Sequence, residues 1–230
     1  MKFLIPPSEG KSLQDTTSHI FKDTGFEMLD SVKDLLVLLK NKKSDSDIQK
    51  IYGTSLEKSL DLHSKNLNIL NSFCSLAIER YSGVVFKNIN WGDFNKNDKI
   101  FFGKNFLIFS GLFGVVSPMS LIPNYKLKMN VLLLHKFWNS IITDKLKKED
   151  IIIDLLPQVH RKAYTKDERV TIVDFFHIKD GKKTNAGHLG KAVKGQFIRY
   201  ITKNKIKRID DFSGFNYDGF SWDGNCIIKE

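Results

Sequence analysis

The chain has 230 residues, of which 41% are apolar and 27% charged, enough for one sizeable hydrophobic core. Its first apolar run is three residues long (Phe3-Leu4-Ile5) and is followed by Pro6 and Pro7, and no stretch reaches the ~18 uninterrupted apolar residues of a membrane span. We therefore expect neither a signal peptide nor a membrane protein. The net charge is +10, which points to an anionic partner.

Hydrophobic periodicity predicts alternating strands and helices. We expect strands at 2–5, 81–86, 106–109, 151–156 and 170–178, and helices at 28–40, 46–51, 55–79, 131–147 and 188–204. The core stripe expected for the third helix is Leu56, Leu60, Leu67, Leu70, Phe73 and Leu76. This order predicts a mixed α/β fold, a single domain over 1–230 with a central mixed sheet flanked by helices.

The segment IPPSEGKS at 5–12 ends in Gly10-Lys11-Ser12, the tail of a phosphate-binding loop. The complete motif needs a glycine at position 5, where this chain has Ile5, so a nucleotide-binding P-loop is excluded. Two interpretations remain. Either a proline-rich turn presents Ser8 and Lys11 at the end of a strand, where open α/β sheets bind ligands, or the segment is a plain surface loop.

A second long loop, at 110–129, contains two glycines and two prolines and carries Ser110, Tyr125, Lys126 and Lys128. Loops held between core elements often carry function, although a compact connection packed by its own apolar residues is the alternative. His160 and Lys162 follow the strand at 151–156 and are suited to meet a phosphate. The candidate catalytic residues are Lys11, Ser110, Tyr125 and Lys162, with Lys126 and His160 beside them.

The sequence has no recognisable metal site. Its six histidines form no i,i+4 pair and lie near neither Cys74 nor Cys226, so we predict no bound metal and no cofactor. The two distant cysteines, in a chain without a secretory signal, favour reduced thiols and a cytoplasmic protein.

Most of the excess positive charge lies in one segment. Residues 181–209 contain nine Lys or Arg and no acid, which leaves 27 basic against 26 acidic residues elsewhere. In the helix at 188–204, an apolar stripe (Leu189, Val193, Phe197, Tyr200, Ile201) opposes a basic face with Gly195 in its middle. A glycine inside a helix costs ~1 kcal/mol relative to alanine, so we expect close approach of a backbone or a phosphate there.

A basic turn and a short helix, capped by Asp210-Asp211 and stopped by Gly214, complete the outline of a helix-hairpin-helix. A helix-hairpin-helix binds the phosphates of duplex DNA and makes no base-specific contacts. The alternative interpretation of this segment is an amphipathic helix whose basic face is exposed to solvent. The predicted nucleic-acid contacts are Lys191, Lys194, Arg199, Lys203, Lys205, Lys207 and Arg208.

Taken in order, these motifs resemble the YaaA family of bacterial peroxide-stress proteins. The blocks that carry the resemblance are IPPSEGKSL, RYSGVVF (80–86), FSGLFGVVSPMSLIPNYKLKM (109–129), KFWNSIITDKL (136–146), IIIDLLPQVHRKAY (151–164), HLGKAVKGQFIRYI (188–201) and DFSGFNYDGF (211–220). The chain departs from the family at Asp154-Leu155-Leu156-Pro157, where Asn-Leu-Ala-Ser is common, and at Lys194-Gly195, where Arg-Gly is usual.

The resemblance implies a cytoplasmic protein that protects against hydrogen peroxide and is associated with low unincorporated iron. It also implies a mixed α/β fold, a positively charged cleft and a helix-hairpin-helix that binds duplex DNA. Our first hypothesis is therefore a monomeric, non-sequence-specific DNA-binding stress protein that limits iron-driven damage. The rival is an enzyme acting on a nucleic-acid or nucleotide-like substrate, which requires Lys11 and the 110–128 loop to meet in one concave surface.

Overall fold

The computed structural model describes residues 1–179 and 181–229. Its helices are α1 (Leu29–Lys40), α2 (Asp45–Tyr52), α3 (Leu56–Leu67), α4 (Ala77–Arg80), α5 (Val84–Ile89), α6 (Lys96–Asn105), α7 (Leu134–Leu146), α8 (Gln158–Arg161) and α9 (Gly187–Lys203). Its strands are β1 (Lys2–Ile5), β2 (Ser75–Leu76), β3 (Phe106–Ser110), β4 (Gly114–Val116), β5 (Leu121–Ile122), β6 (Ile152–Asp154), β7 (Val170–Ile172), β8 (Phe175–Lys179), β9 (Lys182–Asn185), β10 (Asn216–Tyr217), β11 (Phe220–Trp222) and β12 (Ile227–Lys229).

The central sheet has the order β4-β3-β1-β6-β7. Strand β1 pairs in parallel with β3 and β6, β6 pairs in parallel with β7, and β4 closes one edge antiparallel to β3. All five residues of β3 and the last three of β1 are buried, as expected for parallel strands covered on both faces. The predicted mixed α/β class with a central mixed sheet is confirmed.

A second five-stranded sheet, not predicted from the sequence, has the order β10-β11-β12-β8-β9. Strand β12 is parallel to β8, and the other pairs are antiparallel. Helix α9 lies on it, where Phe197 meets Phe175 from β8 and Phe212 and Phe215 from the C-terminal segment. The buried apolar residues of both sheets belong to one connected core.

The predicted helices at 28–40, 46–51, 131–147 and 188–204 are confirmed as α1, α2, α7 and α9. Local sequence sets the ends of α2, since the Ser44 hydroxyl accepts the backbone N–H of Asp47 and Gly53 closes the helix at φ 63°. Cys74 and Cys226 are buried free thiols. Among the described residues, no helix is long and apolar enough to cross a bilayer.

The predicted helix at 55–79 is wrong in its length and in its buried face. It ends at Leu67 and is followed by a 3-10 turn (Ile69–Asn71), β2 and α4. Leu56, Leu60 and Phe73 are exposed, whereas α3 buries Ser59, His63 and Asn66. Polar groups can occupy this inner face because each finds a hydrogen-bond partner, as when Asn66 donates to the Tyr52 hydroxyl at 3.0 Å.

The predicted strand at 81–86 is also wrong, because Val84–Ile89 forms the helix α5. A Cβ on Gly195 would lie 2.4 Å from the Val85 carbonyl oxygen and 2.5 Å from Asn88 Cβ, so α9 can approach α5 only because residue 195 is glycine. The close approach of a backbone predicted at Gly195 is therefore confirmed, and that backbone belongs to α5.

Two further predictions change in detail. The predicted strand at 170–178 divides into β7 and β8, which belong to different sheets. After α9, a 3-10 helix (Ile209–Gly214) ends at Gly214 as predicted, but Asp210 and Asp211 lie in its first turn and its N-cap residue Arg208 makes no side-chain cap. The sequence Asp180-Gly181-Lys182 also predicts a turn after this segment, and Asp180 lies outside the described residues.

Candidate functional site

A cleft of about 770 Å³ lies where the parallel strands β1, β3 and β6 end. Its walls include the segment Pro6–Lys11 after β1, Gly111 after β3, and Leu156, Pro157 and His160 after β6. The chain runs from β1 to β3 on one side and then to β6 on the other, which is the reversal of strand order where open α/β sheets bind ligands. Residues 6–11 of the predicted loop therefore line this cleft.

The buried guanidinium of Arg80 holds the loop after β1 in place. It donates to the carbonyl oxygens of Ser12 (2.7 Å) and Gln14 (3.1 Å) and pairs with the Asp15 carboxylate. Next along the chain, a Cβ on Gly83 would lie 2.6 Å from Ser8 Cβ, so glycine lets the two segments touch. The role of Arg80 was not predicted from the sequence. The one indication of it is that a charged residue begins the mainly apolar block RYSGVVF.

Lys11 points its amine toward two aromatic rings. Its Nζ donates to the Ser8 carbonyl at 3.0 Å and lies 4.2 Å from the centre of the Tyr125 ring and 5.4 Å from that of Tyr81. Burial, together with the nearby positive charge of Lys126, lowers the pKa of Lys11 to about 7, although Glu9 opposes the shift. Near neutral pH a large fraction of this amine is therefore uncharged.

A chain of hydroxyls runs behind the lysine. The Tyr125 hydroxyl lies 2.7 Å from Ser110 Oγ and 2.8 Å from the Tyr81 hydroxyl. Ser110 Oγ already accepts the backbone N–H groups of Leu112 and Phe113, so its own proton is directed to Tyr125. Burial raises the pKa of Tyr125 to about 12, which keeps the phenol neutral. Ser110 is fully buried and reaches the cleft only through Tyr125.

The 110–129 loop is positioned by a polar residue of α3. The Asn66 side chain donates to the Lys126 carbonyl (2.8 Å) and accepts the Lys126 N–H (3.3 Å), which fixes this peptide as a strand partner would. The amines of Lys126 and Lys128 each lie 3.0 Å from the Glu9 carboxylate, and their hydrogen bonds lower the pKa of Glu9. Asn66 therefore holds the segment whose two lysines lie at the rim beside Lys11's loop.

The opposite wall contains a second buried lysine. Lys194 Nζ donates to the Leu155 carbonyl and lies 5.1 Å from the centre of the Phe175 ring. Burial and the nearby Arg161 lower the pKa of Lys194 to about 8, while Asp154 and Asp174 oppose the shift.

Asp154, one of the departures from the family pattern, sits beneath this wall. Its buried carboxylate accepts the Leu156 N–H at 2.6 Å and the Tyr164 hydroxyl, and lies 3.4 Å from the Arg161 guanidinium. Burial raises the pKa of Asp154 despite these partners.

His160 lines the cleft with an unpartnered nitrogen. Its Nδ1 is buried and finds no hydrogen-bond partner within residues 1–179 and 181–229. Burial and the charge of Lys194 lower the pKa of His160 to about 4, so the ring is neutral. The ring therefore lines the cleft without charge, and its lowered pKa makes it a weak proton acceptor at neutral pH.

The structure separates the remaining predicted site residues. Lys162 is exposed and does not line the cleft, whereas Lys191 and Lys194 do. Arg199 pairs with Asp93, and Lys203 and Lys205 pair with Asp98, so acids from distant parts of the chain partly neutralise the basic face. Lys207 and Arg208 are exposed, and Arg208 pairs with Asp210. Five of the seven predicted nucleic-acid contacts therefore lie outside the cleft lining.

In the part of the chain that the structure describes, no group of three or more His, Cys, Asp or Glu side chains is placed to hold an ion.

Comparison with known proteins agrees with the resemblance. A family model described as "Peroxide stress protein YaaA" matches residues 1–225. A UPF0246 protein of Crocosphaera subtropica is 29% identical over 87% of this chain and 85% of its own length. A UPF0246 protein of Marinomonas sp. strain MWYL1 is 28% identical over 100% of this chain and 95% of its own.

Proposed function

The chain belongs to the peroxide stress protein YaaA family, and from this premise we propose that its cleft is an active site for a phosphate-bearing, nucleotide-like substrate. The observation that carries the proposal is that Lys11 and the 110–128 loop meet in one concave surface, the arrangement that the enzyme hypothesis requires. A volume of about 770 Å³ falls within the range of small-molecule sites.

Charge supports an anionic ligand. The cleft is lined by five lysines (Lys11, Lys126, Lys128, Lys191, Lys194) and by two acids, Glu9 and Asp174. Glu9 is engaged by the two rim lysines, and Asp174 accepts two hydrogen bonds from Arg161. Lys191 is exposed and has no carboxylate partner among the described residues, which leaves it available to a phosphate.

The test is binding of adenosine 5′-monophosphate and of inorganic phosphate, measured by calorimetry. We expect the double variant Lys128→Ala/Lys191→Ala to bind at least about tenfold more weakly, the loss of roughly one charge-assisted contact. The matched control is Lys40→Ala/Lys58→Ala, which removes two exposed lysines on α1 and α3. Equal loss in both double variants, or no binding by the wild type, would overturn the proposal.

Duplex DNA is the second candidate, and the favouring observation is the pair Lys191 and Lys207. Both are exposed near opposite ends of α9 and have no carboxylate partner within the described residues. Lysine contacts to DNA phosphates make the logarithm of the binding constant fall linearly with the logarithm of the salt concentration, with a slope of about −0.9 per phosphate neutralised. The binding would be independent of base sequence.

The DNA test uses Lys191→Glu/Lys207→Glu, because Lys194 and Arg199 hold contacts within the protein. We expect weaker binding and a shallower salt slope than in Lys40→Glu/Lys58→Glu, which has the same net charge. An identical slope in the two variants would argue against this candidate. We further propose that duplex binding is how the protein limits iron-driven damage, so plasmid nicking by Fe²⁺ and hydrogen peroxide would be reduced by the wild type and not by Lys191→Glu/Lys207→Glu.

A further inference from the structure

We propose that Lys11 is an amine nucleophile that forms a Schiff base with an aldehyde-bearing phosphate ester bound in the cleft. This inference rests on the proposed function, because it names the substrate class of the same site. It assigns to Lys11 the covalent step and to the rim lysines the recognition of the phosphate.

The surroundings of the Lys11 amine carry the argument. No carboxylate within the described residues lies in ion-pair distance of Nζ, and the hydrogen-bond partner found for it there is the neutral Ser8 carbonyl. The faces of Tyr81 and Tyr125 occupy the neighbouring space and offer no acceptor oxygen to the amine. A lysine held against rings and lining a cavity is desolvated, which is how a lysine becomes a nucleophile toward carbonyls.

The other lysines of the cleft have different surroundings. Lys126 and Lys128 are tied to Glu9 and are charged partners for an anion. Lys194 donates to the Leu155 carbonyl, close to Arg161, Asp154 and Asp174. Lys191 is exposed to solvent. Lys11 is therefore the desolvated cleft lysine whose hydrogen-bond partner among the described residues is uncharged, and Lys126 and Lys128 reach its loop through Glu9.

The reaction balances without a further reactant. The neutral amine of Lys11 adds to the aldehyde carbon, forming the C–N bond, and its proton passes to the carbonyl oxygen to give a carbinolamine. The hydroxyl then leaves with the second amine proton as one water molecule, which leaves the C=N bond of the imine.

The experiment is reductive trapping with sodium borohydride, followed by intact mass measurement and peptide mapping. One arm uses ribose 5-phosphate, and the other uses duplex DNA with a ring-opened abasic deoxyribose. We expect a reduced adduct on Lys11 that is absent from the variants Lys11→Arg and Lys11→Met. The control is Lys162→Met, which should retain the adduct because Lys162 is exposed outside the cleft. The arm that yields the adduct identifies the source of the aldehyde.

Two non-aldehyde analogues, ribitol 5-phosphate and duplex DNA with a tetrahydrofuran abasic site, separate this inference from the proposed function. If an analogue binds in a manner sensitive to Lys128→Ala/Lys191→Ala but no aldehyde is trapped, the Schiff base is overturned and the site stands. Adducts spread over exposed lysines also overturn it. If no analogue or nucleotide binds, both proposals fail. Even if the Lys11 variants do not fold, peptide mapping of the wild-type adduct shows whether Lys11 is the modified residue.

Discussion

The Lys11 amine lies 4.2 Å from the centre of the Tyr125 ring, although the two residues come from loops that are far apart in the chain. Lys11 follows β1, and Tyr125 follows the β3–β4 hairpin and β5. Their contact removes water from the amine and provides the face of an aromatic ring in its place, an arrangement that still favours the cation somewhat. The pKa of Lys11 nonetheless falls, because burial outweighs that attraction.

Lys11 should react with amine-selective reagents near neutral pH, before the exposed lysines do. Its pKa of about 7 means that the neutral, reactive amine increases as pH rises through 7, whereas ordinary lysines begin to deprotonate near 10. Mass mapping of partial reductive methylation at pH 6, 7 and 8 would measure this. Labelling of Lys11 no faster than that of Lys162 would contradict the buried environment described above.

Tyr125→Phe should retain the ring beside Lys11 and lose the hydroxyl between Ser110 and Tyr81. We expect a loss of about 1–2 kcal/mol in the free energy of unfolding, since both neighbouring hydroxyls lose a partner. Urea denaturation would measure it, with the more exposed Tyr217→Phe as control. A change no larger than in the control would show that the hydroxyl chain does not stabilise the fold.

Gly195→Ala should destabilise the protein by about 1–3 kcal/mol despite the better helix propensity of alanine. The added Cβ would overlap the Val85 carbonyl and force α9 away from α5. Gly92→Ala is the matched control, because no atom lies within 4 Å of its added Cβ. Thermal unfolding of the two variants should therefore differ clearly, and equal midpoints would contradict the close helix contact.

Arg80→Met should release the loop after β1. It removes the buried guanidinium of a half-exposed ion pair and leaves the Ser12 and Gln14 carbonyls without their donor, so we expect a loss of about 2–4 kcal/mol. Limited proteolysis should then cut within residues 8–15 faster than it does in the wild type. Asp15→Asn, at a half-exposed partner, should be much milder, and a similar loss in both variants would show that the carbonyl contacts contribute little.

The free energy of unfolding should depend on pH through the two buried lysines, Lys11 and Lys194. The pKa values of Lys11 and Lys194, about 7 and about 8 in the folded protein, lie below the ordinary value of 10.5. The unfolded chain therefore binds more protons above pH 7, and these groups make the folded state more stable as pH rises.

The measurement is the free energy of unfolding between pH 7 and 8, below the ordinary thiol and phenol pKa values of 9.0 and 10.0 at which the raised pKa values of Cys74 and Tyr125 begin to oppose the trend. The wild type should gain stability relative to Lys11→Met and Lys194→Met as pH rises. A constant difference across this range would mean that both lysines keep ordinary pKa values in the folded protein.

Much of the fold could be predicted from the sequence where a segment's own pattern decides its structure. The buried strands at 2–5 and 106–109 have continuous apolar runs, and α1 and α9 have clear helical periodicity. Prediction failed at α3 because Asn66, a polar residue, is buried against the Lys126 peptide. It failed at α5 because a β-branched run next to Gly83 suits a strand locally, while packing against Gly195 of α9 holds it as a helix.

The candidate site was likewise predicted from the sequence only in part. Residue types and loop positions pointed to Lys11, Tyr125, Lys126 and His160, and the structure brings all four to one cleft. Lys162 looked equivalent in sequence, yet α8 leaves it facing solvent. Arg80 and Asn66 were missed, because their importance lies in backbone groups far along the chain.

By itself, the sequence determined the family, the mixed α/β class and the lysine-rich chemistry of the site, since these follow from residue identity and order. Only the tertiary structure decided which lysines are desolvated and which are neutralised. Lys11 is buried against tyrosines, while Arg199, Lys203 and Lys205 meet Asp93 and Asp98 across the fold. Burial and pairing depend on distances between residues that are remote in sequence, and those distances set the charge that a ligand meets.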